Sequence, residues 1–207
     1  MPPTDETMFA QVLRGRVSDA PAVARQFRRW AAEVAPGGPG WRDVTGGVTA
    51  EGTLIAVTRF ASEDDARANG DRDAQDRWWK ETRPLLAEEP AVYESTDLTE
   101  LWAGAVPDAG FVQMMLARVA DRGTLTRIEE DLDEAFRRWR PDALGGYRVW
   151  LPDGRMLAVD YFSSEAEARA GERSEPPPDV AELFPEWMAQ LSDQEWFDLP
   201  SPWIAVS

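Results

Sequence analysis

The sequence predicts an α+β fold in which one small module, strand–helix–strand–strand–helix–strand, occurs twice in tandem. Three observations predict it. The first is a repeat: Gly52-Thr-Leu-Ile-Ala-Val-Thr-Arg-Phe-Ala-Ser-Glu-Asp-Asp-Ala-Arg-Ala returns as Gly154-Arg-Met-Leu-Ala-Val-Asp-Tyr-Phe-Ser-Ser-Glu-Ala-Glu-Ala-Arg-Ala in a chain of 207 residues. Gln11 and Gln113, Arg16 and Arg118, and Asp19 and Asp121 keep the same offset, which slips by one where Asp97-Leu98 answers Asp198-Leu199 and Trp102 answers Trp203. The second is that hydrophobic periodicity switches between alternation and helical spacing in the same order in each half. The third is length, since two modules of about a hundred residues are each large enough for a core of their own.

The elements follow in order. Met8 to Val17 alternates as a strand with two usable faces. Asp19-Ala-Pro21 is a helix start, and Val23, Phe27, Trp30 and Val34 then share one helical face until Pro36-Gly-Gly-Pro-Gly40 ends it. Trp41 to Val48 and Thr53 to Phe60 form a hairpin about the turn Thr49-Ala-Glu-Gly52. Ser62-Glu-Asp-Asp65 is an acidic capping box for a second helix, interrupted near Gly70 and resuming through Asp76 to Leu86, and Val92 to Asp97 is a last strand. In the second half Phe111 to Val119 is a strand, and Leu125, Ile128, Leu132, Phe136 and Trp139 mark a helix. Tyr147 to Leu151 and Arg155 to Phe162 flank the turn Pro152-Asp-Gly154. A helix opens at Ser164, Pro176-Pro-Pro178 reads as a loop, and Trp196 to Leu199 closes the unit.

This is the ferredoxin-like βαββαβ order, given twice. The boundaries it implies are a first module over 1–103 and a second over 104–207, with Ala103 to Gly110 as the linker. Helices on one side leave each sheet a bare face, yet Leu54, Ile55, Ala56 and Val57 are apolar on both sides. Packing the two bare faces together within one chain is the expected arrangement, an intrachain pseudo-dimer. Whether the protein stays monomeric or associates further through a sheet edge is left open. The Phe-Arg-Arg-Trp string at 27–30 and 136–139 does not share the repeat offset and is expected to be coincidental.

Composition excludes several chemistries. Twenty-two basic against 38 acidic residues give −16, spread over both halves, which repels phosphate backbones and argues against a nucleic-acid partner. Lys80 is the only lysine. Cysteine and histidine are absent, which removes disulfides, a thiolate nucleophile, Cys/His zinc sites, a His or Cys haem ligand and an imidazole base. A metal would need oxygen ligands alone, and no loop has calcium-binding spacing. No cofactor and no metal are therefore expected. The opening Met1-Pro-Pro-Thr-Asp-Glu-Thr has neither a basic flank nor an apolar run, and no stretch approaches the ~20 residues of a membrane span, so a cytoplasmic protein with no membrane partner is the expectation.

Arg59-Phe60 closes the third strand, and Ser62-Glu, Ala66-Arg, Asn69, Arg72, Gln75 and Trp78-Trp79 follow it. That pattern resembles an uncharacterised actinobacterial family of the dimeric α/β-barrel superfamily, to which the antibiotic-biosynthesis monooxygenase-like proteins belong. The resemblance runs over essentially the whole chain, including the Phe111-Val-Gln-Met start of the second copy. It implies a pocket in each half between sheet and helices. Cofactor-free quinone-forming oxygenases of the superfamily hold polyphenolic substrates with Asn, Trp, Arg or Tyr side chains, and haem-degrading relatives add a His, which this chain lacks. The second copy departs further, with Gly171-Glu-Arg-Ser-Glu-Pro-Pro-Pro178 replacing the Asn-x-x-Arg segment and Trp187 alone in place of the pair. The site is expected in the first half.

Six residues are the ligand-binding candidates there, and no catalytic residue is assigned. Trp78 and Trp79 lie ~100° apart on a helix, so one enters the core and the other reaches a pocket edge or a contact between the halves. Asn69 either ends a helix in the left-handed conformation or contacts ligand. Arg72 is a solvated side chain or the pocket's cation. Arg59, ending an apolar strand, needs a carboxylate, a carbonyl or an anionic ligand. Gln11, matched by Gln113, either hydrogen-bonds within the protein or reaches a ligand. Two functions fit these residues: a binding protein for a small apolar or aromatic molecule that need not be catalytic, or a cofactor-independent monooxygenase of an aromatic or polyphenolic substrate.

Overall fold

Ten strands and six α-helices make two five-stranded antiparallel sheets with helices in a computed structural model that describes residues 8–207. The reading of Met1–Thr7 as free of a targeting signal lies outside the described residues. The strands are β1 (Phe9–Arg16), β2 (Trp41–Val48), β3 (Thr53–Phe60), β4 (Ala91–Ser95), β5 (Leu98–Trp102), β6 (Phe111–Val119), β7 (Ala143–Trp150), β8 (Arg155–Phe162), β9 (Leu191–Leu199) and β10 (Trp203–Val206). The helices are α1 (Ala20–Arg29), α2 (Glu63–Gly70), α3 (Asp73–Thr82), α4 (Arg122–Trp139), α5 (Glu165–Glu172) and α6 (Pro178–Ala189). The first sheet runs β10-β2-β3-β1-β4 and the second β5-β7-β8-β6-β9.

The repeat is visible in the caps. Asp19 and Asp121 accept the backbone N–H of Ala22 and Thr124, each at 2.9 Å, and open α1 and α4. Ser62 and Ser164 accept from Asp65 and Glu167 at 3.1 and 3.2 Å and open α2 and α5. Each satisfies a donor that the first helical turn leaves without a partner. The two hairpins close on Gly52 and Gly154 at φ +79° and +81°, a left-handed backbone that only glycine adopts without strain.

Two compact units result, and each sheet takes one outer strand from the end of the other sequence copy. The first joins the residues up to Thr99 with Ser201–Ser207, because β10 pairs antiparallel with β2 from Trp203↔Gly46 to Val206↔Asp43. The second spans Glu100–Pro200. The first unit thus extends past position 103 to reclaim the far end of the chain. β5 ends at Trp102, immediately before the segment read as the linker, and β10 begins at Trp203. Their indoles stack on Phe136 and Phe27 at 5.9 and 4.6 Å, so each Phe-Arg-Arg-Trp string supplies the ring against its unit's added strand.

In the first unit Phe9, Leu54, Ala56 and Phe60 face Val23, Phe27, Trp30, Trp78 and Trp203 in one buried cluster. The alternate residues Ala10, Val12, Ile55 and Val57 are buried as well, which is why these strands read as apolar on both faces. Arg59 and Asp43 belong to this second set. In the second unit Met115, Leu125, Trp150 and Met156 form one cluster, and Ile128, Leu132 and Val180 another. Among the described residues no helix is long and apolar enough to cross a membrane.

Candidate functional site

A cavity of about 340 Å³ lies in the first unit between the sheet and its helices. Its floor comes from alternate residues of adjacent strands, Gln11 and Leu13 on β1 with Ala56, Thr58 and Phe60 on β3. Its walls are Phe27 and Trp30, Asn69 at the end of α2, and Gln75, Trp78 and Trp79 on α3. Gly70, Asp76 and Val92 complete the lining.

Local sequence explains how these side chains converge. α1 passes at Trp30 into a π-helical turn, Trp30–Val34, whose last bond runs from the Ala35 N–H to the Trp30 carbonyl. Pro36 has no N–H to continue the helix, and the chain turns. Arg72 then donates from Nη1 to the Val34 carbonyl at 3.0 Å and to Asn69 Oδ1 at 2.8 Å. Gly37 and Gly38 lie so close to these two side chains that an added Cβ would meet Arg72 Nη2 or Asn69 Oδ1. A π turn inside an α-helix is often a functional feature, and here it carries Trp30 to the cavity wall.

The break between α2 and α3 does comparable work. Arg72 is extended at φ −76°, ψ 136°, so α3 sets out in a new direction from Asp73. Gln75 and Trp79, four residues apart, share one helix face. Trp30 Nε1 donates to Gln75 Oε1 at 2.6 Å, and Asn69 Nδ2 approaches the same oxygen at 3.5 Å. Trp78 is buried and donates to the Gln26 carbonyl at 2.9 Å. Trp79 is half-buried, its ring 5.7 Å from that of Trp78.

Four of the six sequence candidates, Gln11, Asn69, Trp78 and Trp79, therefore line one cavity. Asn69 is helical and buried, not a left-handed cap. Arg72 stands behind Asn69 and is not part of the lining. Arg59 projects from the other face of β3, where Nε meets both Asp43 oxygens at 3.0 and 2.9 Å and Nη2 meets Oδ2 at 2.7 Å. Gln11 Nε2 donates to Glu94 Oε1 at 2.9 Å. Trp30, Phe27, Thr58 and Gln75 were not singled out as site residues. For Gln75 the available signal was its spacing, one turn before the tryptophan pair. Among the described residues, no group of three or more acidic side chains is placed to hold a metal.

The second unit fills the corresponding positions differently. Leu132 stands at the repeat position of Trp30 and packs with Val180. Gly171 stands at that of Asn69, and a Cβ there would collide with Arg140. The Arg140 guanidinium occupies that space, binding Asp142 at 3.0 and 2.7 Å and the Ala168 carbonyl at 3.2 Å. Gln113 donates to Asp198 at 2.9 Å, and Arg169 bridges Asp198 and Glu172. Burial works against the Arg169 charge, but hydrogen bonds to Asp198 and Glu172 outweigh it and hold the pKa above the ordinary arginine value.

No family model matches the sequence, and no curated protein matches it. Solved structures do. A candidate monooxygenase from Lactobacillus acidophilus superposes with a TM-score of 0.74 at 9% identity, over 96% of either chain. A second, from Fusobacterium nucleatum, gives 0.72 at 7% identity, over 93% of this chain and 91% of that one. An anthrone oxidase-like protein gives 0.66 at 8% identity, over 94% and 91%. The likeness is one of fold. It spans both units, so the duplicated ferredoxin-like architecture as a whole is what these proteins share.

Proposed function

We propose that the first unit binds a small aromatic molecule in its cavity. The observation that carries the proposal is the wall itself: three indoles and two phenyl rings surround a space with the volume of a small-molecule site, ~300–1,000 Å³. Thr58 and Trp79 line it, and their polar atoms meet no partner among the described residues. Apolar walls with a few unspent polar groups are what a planar ligand with one or two heteroatoms requires. Kinship with the antibiotic-biosynthesis monooxygenase-like proteins belongs to this proposal. So does a cytoplasmic setting without nucleic acid, on the charge of −16 and the lack of cysteine.

A second reading adds turnover. Two proteins named as candidate monooxygenases and one named as anthrone oxidase-like share the fold. In this reading the bound ring supplies the electrons to dioxygen without a cofactor, an anthrone and O₂ giving an anthraquinone and water. Asn69, with Arg72 behind it, steadies the anionic form of the ring.

Binding is measured by equilibrium dialysis with a panel of fused-ring ligands, and turnover by oxygen uptake with anthrones. Binding is expected to weaken about tenfold in Trp79→Ala and to be lost in Thr58→Phe, which fills the floor. A panel that binds neither the parent protein nor Trp79→Ala sinks the binding proposal. Oxygen uptake equal in the parent protein and Asn69→Ala sinks the catalytic one.

A further inference from the structure

A line of hydrogen bonds runs behind the cavity wall, and chemistry alone fixes its direction. A guanidinium can only donate, so the Asn69 atom that Arg72 meets at 2.8 Å is the oxygen. An indole N–H can only donate, so the Gln75 atom facing Trp30 at 2.6 Å is the oxygen too. The Asn69 amide nitrogen is thereby turned toward that same oxygen at 3.5 Å. The last group in the line is Gln75 Nε2. Gln75 lines the cavity, its oxygen serves two donors, and among the described residues its NH₂ meets no acceptor.

The line begins at a cation, Arg72, which among the described residues forms no ion pair. Hydrogen bonds in series polarise one another, so a cation at the head strengthens the donor at the open end. The polarity reverses on the sheet side. The Glu94 carboxylate can only accept, so Gln11 gives it Nε2 and keeps its own oxygen unspent. Asp76, the carboxylate in the lining, is paired with Lys80 at 2.6 Å.

We propose that Gln75 is the specificity-determining residue of the cavity: its Nε2 selects, among planar aromatic molecules, those that present a carbonyl or phenolate oxygen to α3. This rests on the cavity being an aromatic site and goes further, by giving the ligand a required atom and a direction.

Fluorene, 9-fluorenone and carbazole test it, because they share one tricyclic frame and differ at the bridge, which is CH₂, C=O or N–H. Equilibrium dialysis of the full chain against each gives three affinities per variant. The parent protein is expected to bind fluorenone about five- to tenfold more tightly than fluorene, the worth of one hydrogen bond. Gln75→Leu is expected to equalise the two by weakening fluorenone alone. Gln75→Glu keeps an acceptor for Trp30 but turns the donor into an acceptor, and it is expected to move the preference to carbazole. Equal affinity of the parent protein for fluorene and fluorenone, or a preference that survives Gln75→Leu, overturns the role of Gln75 while leaving the aromatic site standing. Failure of all three to bind overturns both. Far-UV circular dichroism establishes folding, and the near-isosteric Gln75→Glu carries the test if Gln75→Leu does not fold.

Discussion

Replacing Arg59 by methionine separates a structural cation from a binding one. The guanidinium makes three contacts of 2.7 to 3.0 Å with Asp43, and the two side chains are 4% and 5% exposed. Removing one member of such a pair leaves the other's charge in a low-dielectric setting, a loss of about 3–5 kcal/mol. At roughly 2–4 °C per kcal/mol for a chain of this length, the thermal midpoint is expected to fall by about 6–20 °C. Replacing both, Arg59→Met with Asp43→Leu, removes the charge with its partner and is expected to return to within about 1 kcal/mol of the parent protein or above it. Thermal and urea unfolding of the two single variants and the double variant give the coupling directly. Because Arg59 projects away from the cavity, fluorenone affinity measured well below the midpoint is expected to stay unchanged. A single variant that loses less than about 1 kcal/mol refutes the assignment, since removing one member of a buried ion pair is costly; so does a double variant no more stable than the singles.

Two further outcomes follow from close approach and from the Arg72 contacts. Gly171→Ala places a methyl where Arg140 lies and is expected to cost about 1–3 kcal/mol by urea unfolding. Gly70→Ala, a helical position with open space around its Cβ, is the control and is expected to gain about 0.5–1 kcal/mol; equal effects at both sites would contradict the reading of Gly171. Arg72→Leu withdraws a charged donor from the Val34 carbonyl and Asn69 Oδ1, a loss of about 2–3 kcal/mol. It is also expected to change the near-UV circular dichroism of Trp30, and an unaltered spectrum would mean that Arg72 does not hold the π turn.

What the sequence disclosed depends on how local its cause is. Capping residues, glycine turns and alternating strands act within a few residues, so β2, β3, β6 and β8 appear at the expected bounds. β10 has no such signal: its four residues are a strand because β2, some 160 positions earlier, offers a free edge. The turn at Trp30 is hidden for another reason. Val23, Phe27, Trp30 and Val34 have ordinary α-helical spacing, and only Pro36 and the distant Arg72 draw the last turn wider. Arg59 was legible as a buried cation needing a partner, but not which partner, because the register that sets Asp43 beside it belongs to the hairpin. Gln75 stood inside a recognised pattern without an assigned role. Its importance comes from the indole that occupies its oxygen, and that indole lies 45 residues away in the sequence.

The exchange of outer strands has a bearing on how the protein is made. A ribosome delivers the first unit's β1 to β4 early, but the strand that borders β2 follows every strand of the second unit. Trp203, which stacks on Phe27 in the buried cluster beside the cavity, arrives with it. N-terminal domains ordinarily fold first during synthesis. Here the second unit can complete its sheet while the first still waits with an open edge, so of the two units the one that carries the cavity is finished second.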